Sequence, residues 1–166
     1  MRRFTFLLLT VSLCALAQTP STPAKSFTEQ FQDITGRLLT MAKDFPEDKY
    51  GYRATKDVRS VREIIVHVAS ANAYAAKASR GEKANWDADE IDPKGYPTKA
   101  AAVALLEKTT ADAVAALKAV PEDRWAKTVQ PWLAVIEHAG EHYGQLVVYY
   151  RNNGMIPPES RHSANK

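Results

Sequence analysis

The chain has 166 residues, enough to bury one proper core without staples. Its 22 basic and 19 acidic residues give a formal net charge of +3, which offers no electrostatic case for nucleic acid or an anionic membrane. Cys14 is the only cysteine, which excludes a disulfide framework and a structural site built on several cysteines.

In chain order, the first element is an export signal. Met1-Arg2-Arg3 is basic, residues 4–16 are an apolar run, and Ala15-Leu16-Ala17 supplies a small-x-small exit before Gln18. This reads as a secretory signal peptide over residues 1–17. The run is shorter than the roughly 20 residues of a membrane span. Leu13 stands where a lipoprotein signal carries a small residue, so ordinary cleavage is expected. Cleavage removes Arg2, Arg3 and Cys14, which takes the net charge from +3 to +1 and leaves no thiolate. The mature chain is therefore expected to be exported (periplasmic or secreted) and free of membrane attachment.

Residues 18–25 are polar and broken by prolines, and are expected to form a disordered linker. Four segments with helical period follow. The first covers residues 26–45: Phe27, Phe31, Ile34, Leu38, Met41 and Phe45 alternate steps of three and four, and Pro46 ends it. Residues 47–59 are a polar connection. The second helix starts at Ser60, with Glu63 completing a capping box, and ends at Gly81. Its buried face is Val61, Ile64, Ile65, Val68, Ala71 and Ala75, with His67 beside it. Residues 80–97 hold Gly81, Pro93, Gly95, Pro97 and several acids but no periodic apolar residues. A connection this long in a small domain is uncommon and often functional.

Pro97-Thr98 opens the third helix, which carries Val103, Leu106, Val114 and Leu117 and stops at Val120-Pro121. The fourth spans residues 131–153, with Gly154 just past its end and Pro157-Pro158 beyond. Leu133, Val135, Ile136, Ala139, Leu146, Val147 and Tyr150 make it apolar over much of its circumference, as in a central helix. No strand pattern and no repeat is evident. The fold class is all-α, a four-helix bundle over residues 26–158 with a flexible tail over 159–166. In such bundles metal sites are built from side chains on facing helices.

Three of the four histidines suit that role. His138 and His142 are four residues apart, so they stack on one helix face with Cβ atoms about 5–6 Å apart. His67, on the second helix, can complete a three-histidine face that leaves a position for water or substrate, as in reactive rather than structural zinc sites. A lone helical histidine is ordinarily a hydrogen-bonded residue at a core edge; an i, i+4 pair plus a third on another amphipathic helix weakens that reading. His162, in the polar tail, is expected to be solvated.

Other polar and aromatic residues are weaker candidates. His138-Ala139-Gly140-Glu141-His142 also fits the H-x-x-E-H string of inverted zinc peptidases. Those enzymes need a further acidic ligand well downstream, which this chain lacks, so that family is rejected. Glu141 diverges by about 100° from His142 and is expected to face solvent. Tyr143, Tyr149 and Tyr150 are expected to pack, and Gln145 is a candidate supporting donor for the site. Trp86, Asp87, Asp89, Glu90 and Asp92 belong to the long connection, whose acids can orient ligands but more commonly stay hydrated. Trp125 and Trp132 are expected to close one end of the bundle.

The layout resembles the DinB/YfiT-like superfamily of metal-binding four-helix bundles. That family carries one histidine on the second helix and an H-x-x-x-H pair on the fourth, here His67 and the pair His138 and His142. Glu137-His138-Ala139-Gly140-Glu141-His142-Tyr143-Gly144-Gln145 is similar to the family's H-x-x-x-H-R-G-Q string, with Tyr143 in place of arginine. The ending Gly154-Met155-Ile156-Pro157-Pro158 also looks like family usage. The tryptophan often found before the serine at the start of the second helix is Arg59 here.

The resemblance implies a divalent metal, zinc or nickel, on His67, His138 and His142. Some relatives are thiol-dependent transferases or isomerases, and the signal peptide departs from that cytoplasmic chemistry. The expected function is therefore that of an exported metal-dependent hydrolase or transferase acting on an unidentified small molecule. The alternative is a non-catalytic metal- or ligand-binding bundle. Nucleic acid is not an expected partner, and a homodimer stays open.

Overall fold

In the computed structural model, residues 22–161 are described. The signal peptide over residues 1–17, residues 18–21 of the linker and His162 with the rest of the tail lie outside the described residues. The expected all-α bundle is what forms: four long helices, α1 (Pro23–Asp44), α2 (Val61–Arg80), α3 (Lys99–Lys118) and α4 (Trp125–Asn152), and a short α5 (Pro158–Arg161). Among the described residues there is no strand, and no helix is long and apolar enough to cross a membrane.

Local chemistry explains most boundaries. Ser60 and Glu63 form the reciprocal capping box that starts α2, and Gly81 ends it in the left-handed conformation at φ 77°, which glycine adopts without a Cβ penalty. The Thr98 side chain accepts from the Ala101 N–H at the start of α3.

Three boundaries differ from the sequence expectation. α1 begins at Pro23, inside the segment expected to be a linker. Thr22 caps it by accepting from the Lys25 N–H, and Pro23 occupies the first turn, where a missing N–H costs nothing. α4 begins at Trp125 rather than 131, so Pro131 lies within the helix and removes one backbone donor. Aromatic packing at that end offsets the loss. The Trp125 ring stacks on Phe27 at 5.4 Å, and the fully buried Trp132 meets Phe31 edge-on at 5.4 Å. At the other end, residues 159–161 are helical rather than loose, because Arg161 donates to both Asp44 carboxylate oxygens, at 2.9 and 2.6 Å.

The helices form a square in which α1 and α2 each pack against both α3 and α4, leaving α1/α2 and α3/α4 as diagonals. No helix is central, contrary to the expectation for α4, whose Leu133 and Val148 are about half exposed at 48% and 51%. Contacts between ends give the directions. The Tyr150 hydroxyl near the end of α4 donates to the Met41 carbonyl near the end of α1, at 2.9 Å, so these two helices are parallel. The Tyr149 hydroxyl donates to the Arg59 carbonyl just before α2, at 2.7 Å, so α2 runs against α4. Lys99, at the start of α3, donates to the Phe45 carbonyl at the end of α1, at 2.8 Å.

The order is thus up, down, down, up, with α2 and α3 parallel. The chain leaving α2 must climb back along a 20-residue helix, a rise of about 30 Å, before α3 can start. Residues 81–98 make that climb, which accounts for their length.

Two apolar clusters fill the bundle. One gathers Leu38, Phe45, Ile64, Ile65, Leu106, Leu146 and Tyr150 around the end where α2 and α3 start. The other gathers Phe31, Ala75, Leu117, Trp125, Trp132 and Val135 at the opposite end. Trp132→Ala removes the largest fully buried side chain from the second cluster. It is expected to destabilise the protein by about 3–5 kcal/mol, read as a lower urea midpoint with a cooperative transition retained.

Candidate metal centre

Each histidine reaches the site through the periodicity of its helix. His67 follows the buried Val66 and precedes Val68, at the margin of the apolar face of α2, with its side chain only 13% exposed. His138 and His142 lie one turn apart on the side of α4 that flanks the buried Val135, Ala139 and Leu146. Antiparallel packing of α2 on α4 then sets the three rings against each other. The Nε2 atoms of His67 and His138 are 2.9 Å apart, and those of His138 and His142 are 3.1 Å apart. All three candidate ligand atoms lie within 4.8 Å of one another.

The outer ring edges decide which way the lone pairs point. His67 Nδ1 is 2.9 Å from Glu90 Oε1; a carboxylate only accepts, so this nitrogen carries the proton. His142 Nδ1 is 2.9 Å from Gln145 Oε1 and donates to it. Both rings therefore direct an unprotonated Nε2 inward. His138 Nδ1 is buried without a hydrogen-bond partner, and its ring is held instead against Trp86, edge-on at 5.1 Å.

Three inward nitrogens cannot satisfy each other. His138 has one ring proton in its neutral form; placed on Nε2 it serves one neighbour and leaves the other lone pair facing nitrogen. A shared cation removes the conflict. With metal–nitrogen bonds of about 2.0–2.1 Å in tetrahedral geometry, ligand nitrogens sit about 3.3 Å apart. The observed 2.9 and 3.1 Å differ from that by only tenths of an ångström. With the remaining pair within 4.8 Å, the three nitrogens are placed so that they could hold a divalent ion.

Electrostatics keep the rings in the ligating form. Burial, then repulsion from His142, His67 and Arg59, pushes His138 down to about 3. Burial and the Arg59 charge also lower His67, with Glu90 opposing, and burial lowers His142, with the Gln145 bond opposing. Glu90 feels burial upward, but the bonds from His67 and Arg59 outweigh it and hold its carboxyl below the usual range. Neutral imidazoles and an ionised acceptor are what a cation needs.

The long connection shapes the mouth. Trp86, Ala134, Glu137, His138 and Glu141 line an open depression of about 270 Å³. Glu137 and Glu141 are exposed there, in keeping with the solvent-facing expectation for Glu141. Tyr149 and Tyr150 are buried as expected, although both hydroxyls bond to backbone carbonyls on other segments. Gln145 supports His142 as an acceptor rather than as the expected donor. Nothing in the sequence separates Glu90 from the other acids of its loop; the Asp89 carboxylate accepts from the Asn85 N–H and pairs with Lys77, and that of Asp92 accepts from the Lys94 N–H.

The lowered histidine pKa values carry a sign for the metal-free protein. Below the ordinary value of 6.5 the unfolded chain binds protons that the folded chain refuses, so stability falls as pH falls from about 6.5 toward 3. The urea midpoint of metal-free protein is expected to drop between pH 7 and pH 5, and His138→Gln is expected to flatten that slope. A midpoint unchanged over this interval in the parent protein contradicts the assignment.

No curated protein matches the chain. The family model of the DinB superfamily matches residues 30–146, a span from the second turn of α1 into the last third of α4 that carries all three clustered histidines. By that match and by its helical architecture, the chain belongs to the DinB superfamily.

Proposed function

We propose that this chain binds one divalent metal ion through His67, His138 and His142 and acts as an exported metal-dependent hydrolase or transferase on a small molecule. The observation that carries the reading is the inward convergence of three Nε2 atoms whose rings are held neutral, two of them with Nδ1 committed to an outer oxygen. Zinc or nickel is the proposed ion; imidazole selects poorly among zinc, nickel, copper and iron, so the donor set alone does not name it. A divalent ion in this position supplies Lewis acidity toward a substrate oxygen or sulfur.

The chain's own residues supply the rest. Glu90 and Gln145 orient two ligand rings. Trp86 covers His138 and, with Ala134, gives the depression beside it an apolar wall where a small organic group can lie. Export rests on the basic start, the apolar run and Ala15-Leu16-Ala17. The small net charge argues against nucleic acid as a partner.

A second reading, a metal- or ligand-binding bundle without turnover, has one observation in its favour. The polar groups nearest the rings, Glu90 and Gln145, are both engaged in holding them, and the acids that line the depression, Glu137 and Glu141, are exposed.

Gently purified mature protein is expected to carry close to one equivalent of a divalent ion by elemental analysis. His67→Ala, His138→Ala and His142→Ala are each expected to lose most of it; less than half an equivalent in the parent protein overturns both readings. Across a panel of hydrolytic and thiol-transfer substrates, the parent protein is expected to exceed His142→Ala on at least one. Equal rates throughout leave the non-catalytic reading. Mass spectrometry of protein recovered outside the cytoplasm is expected to show an N-terminus at Gln18.

A further inference from the structure

Arg59 precedes Ser60, the capping residue of α2, and two hydrogen-bond chains leave it for two different histidines. Through its side chain, the guanidinium donates to Glu90 Oε1 at 3.1 Å, the same oxygen that accepts from His67 Nδ1 at 2.9 Å. Through its backbone, the carbonyl accepts from the Tyr149 hydroxyl at 2.7 Å. Tyr149 in turn accepts from Gln145 Nε2 at 3.1 Å, and Gln145 Oε1 accepts from His142 Nδ1 at 2.9 Å.

The second chain leaves no freedom of assignment. A carbonyl can only accept, so the single Tyr149 proton is spent on it. Gln145 must then present its amide N–H to Tyr149 and its oxygen to His142, and His142 Nδ1 must be the protonated nitrogen. In the first chain the carboxylate likewise can only accept, from Arg59 and His67 together. Both chains end by aiming an unprotonated Nε2 at the same point.

We propose that Arg59 is the positioning residue of the metal centre, holding His67 through Glu90 with its side chain and His142 through Tyr149 and Gln145 with its backbone. This rests on the metal-binding reading above and adds to it the source of the ligands' orientation. The connection is pinned beside Glu90 by the Ile91 N–H on Ser70, and the guanidinium fixes the half-exposed Glu90 side chain itself, keeping its carboxylate from turning toward solvent. Without it, Glu90 remains an acceptor but no longer a fixed one, and the His67 ring gains rotational freedom that binding must remove. The Arg59 charge repels a cation, but it also lowers the pKa of all three histidines and so helps keep them in the neutral, ligating form. Because that charge is paired with Glu90, the orienting effect prevails.

The test is zinc affinity, measured by competition with a chromogenic chelator, alongside the urea midpoint of the metal-free form. Outer partners of this kind typically contribute 10- to 100-fold in metal affinity. Arg59→Ala is expected to weaken zinc binding about tenfold with the metal-free midpoint little changed, since the side chain is 44% exposed. Arg59→Lys keeps the charge without the planar fork and is expected to recover only part of the loss. In a Glu90→Gln background, Arg59→Ala is expected to add little, because both act on one chain. Tyr149→Phe breaks the other chain and is expected to add its own loss to that of Arg59→Ala. Arg53→Ala removes the Glu63 partner at the same helix start but reaches no histidine, and is expected to stay within twofold of the parent.

The assignment is overturned by an Arg59→Ala affinity within twofold of the parent, by an undiminished loss in the Glu90→Gln background, or by an equal loss in Arg53→Ala. A parent protein that takes up no zinc or other divalent ion overturns the metal-binding reading itself, and this assignment with it.

Discussion

Three imidazole nitrogens aimed at one point are an electrostatic conflict unless something positive lies between them. Hydrogen bonds at the ring edges and burial together maintain that conflict. Glu90 and Gln145 hold the outer nitrogens of two rings, so those rings cannot turn their lone pairs toward water without breaking a hydrogen bond. Burial penalises protonation, the one relief available without a metal, and does so most strongly at His138. A cation shared by the three rings would relieve that conflict. This is the usual coupling of metal affinity to proton release and to folding.

The direction of two helices supplies the site's outer wall. Because α2 and α3 are parallel, the chain has to travel back along the bundle between them, and residues 81–98 do so across the face where α2 meets α4. Glu90 reaches His67 and Trp86 reaches His138 from that crossing. The segment is tied down as it passes: the Ile91 N–H donates to Ser70, and Arg62 donates to the Pro93 carbonyl. A tight turn between α2 and α3 would demand antiparallel helices, and the histidines would lose both neighbours.

Much of this was legible residue by residue. The capping box of Ser60 and Glu63, the stop at Gly81 and the three-four spacing from Phe27 to Phe45 are local patterns, and each produced the element it predicts. The three histidines could be singled out because helical spacing and an amphipathic background are readable in one dimension. Composition misled at the margins. Thr22-Pro23 reads as linker by its residue types and acts as a cap and first turn, and Pro131 reads as a boundary but is carried inside α4 by Trp125 and Trp132. At Pro23 the first-turn position removes the cost of the missing N–H, whereas at Pro131 aromatic packing offsets an interior-proline penalty of about 3 kcal/mol.

The sequence alone determined the helical class, the faces that must be buried and which histidines share a helix face, because those depend on contacts within a few residues. It did not determine that His67 would meet His138, 71 residues away, nor that Glu90 rather than Asp87 or Asp92 would stand behind it. Those pairings depend on the square arrangement of the helices and the path of one crossing. The same holds for Arg59, a polar residue before a helix cap until folding brings Glu90 to its side chain and Tyr149 to its carbonyl. Hydrogen-bond partners contributed by distant segments carry no local periodicity, so only the assembled bundle decides them.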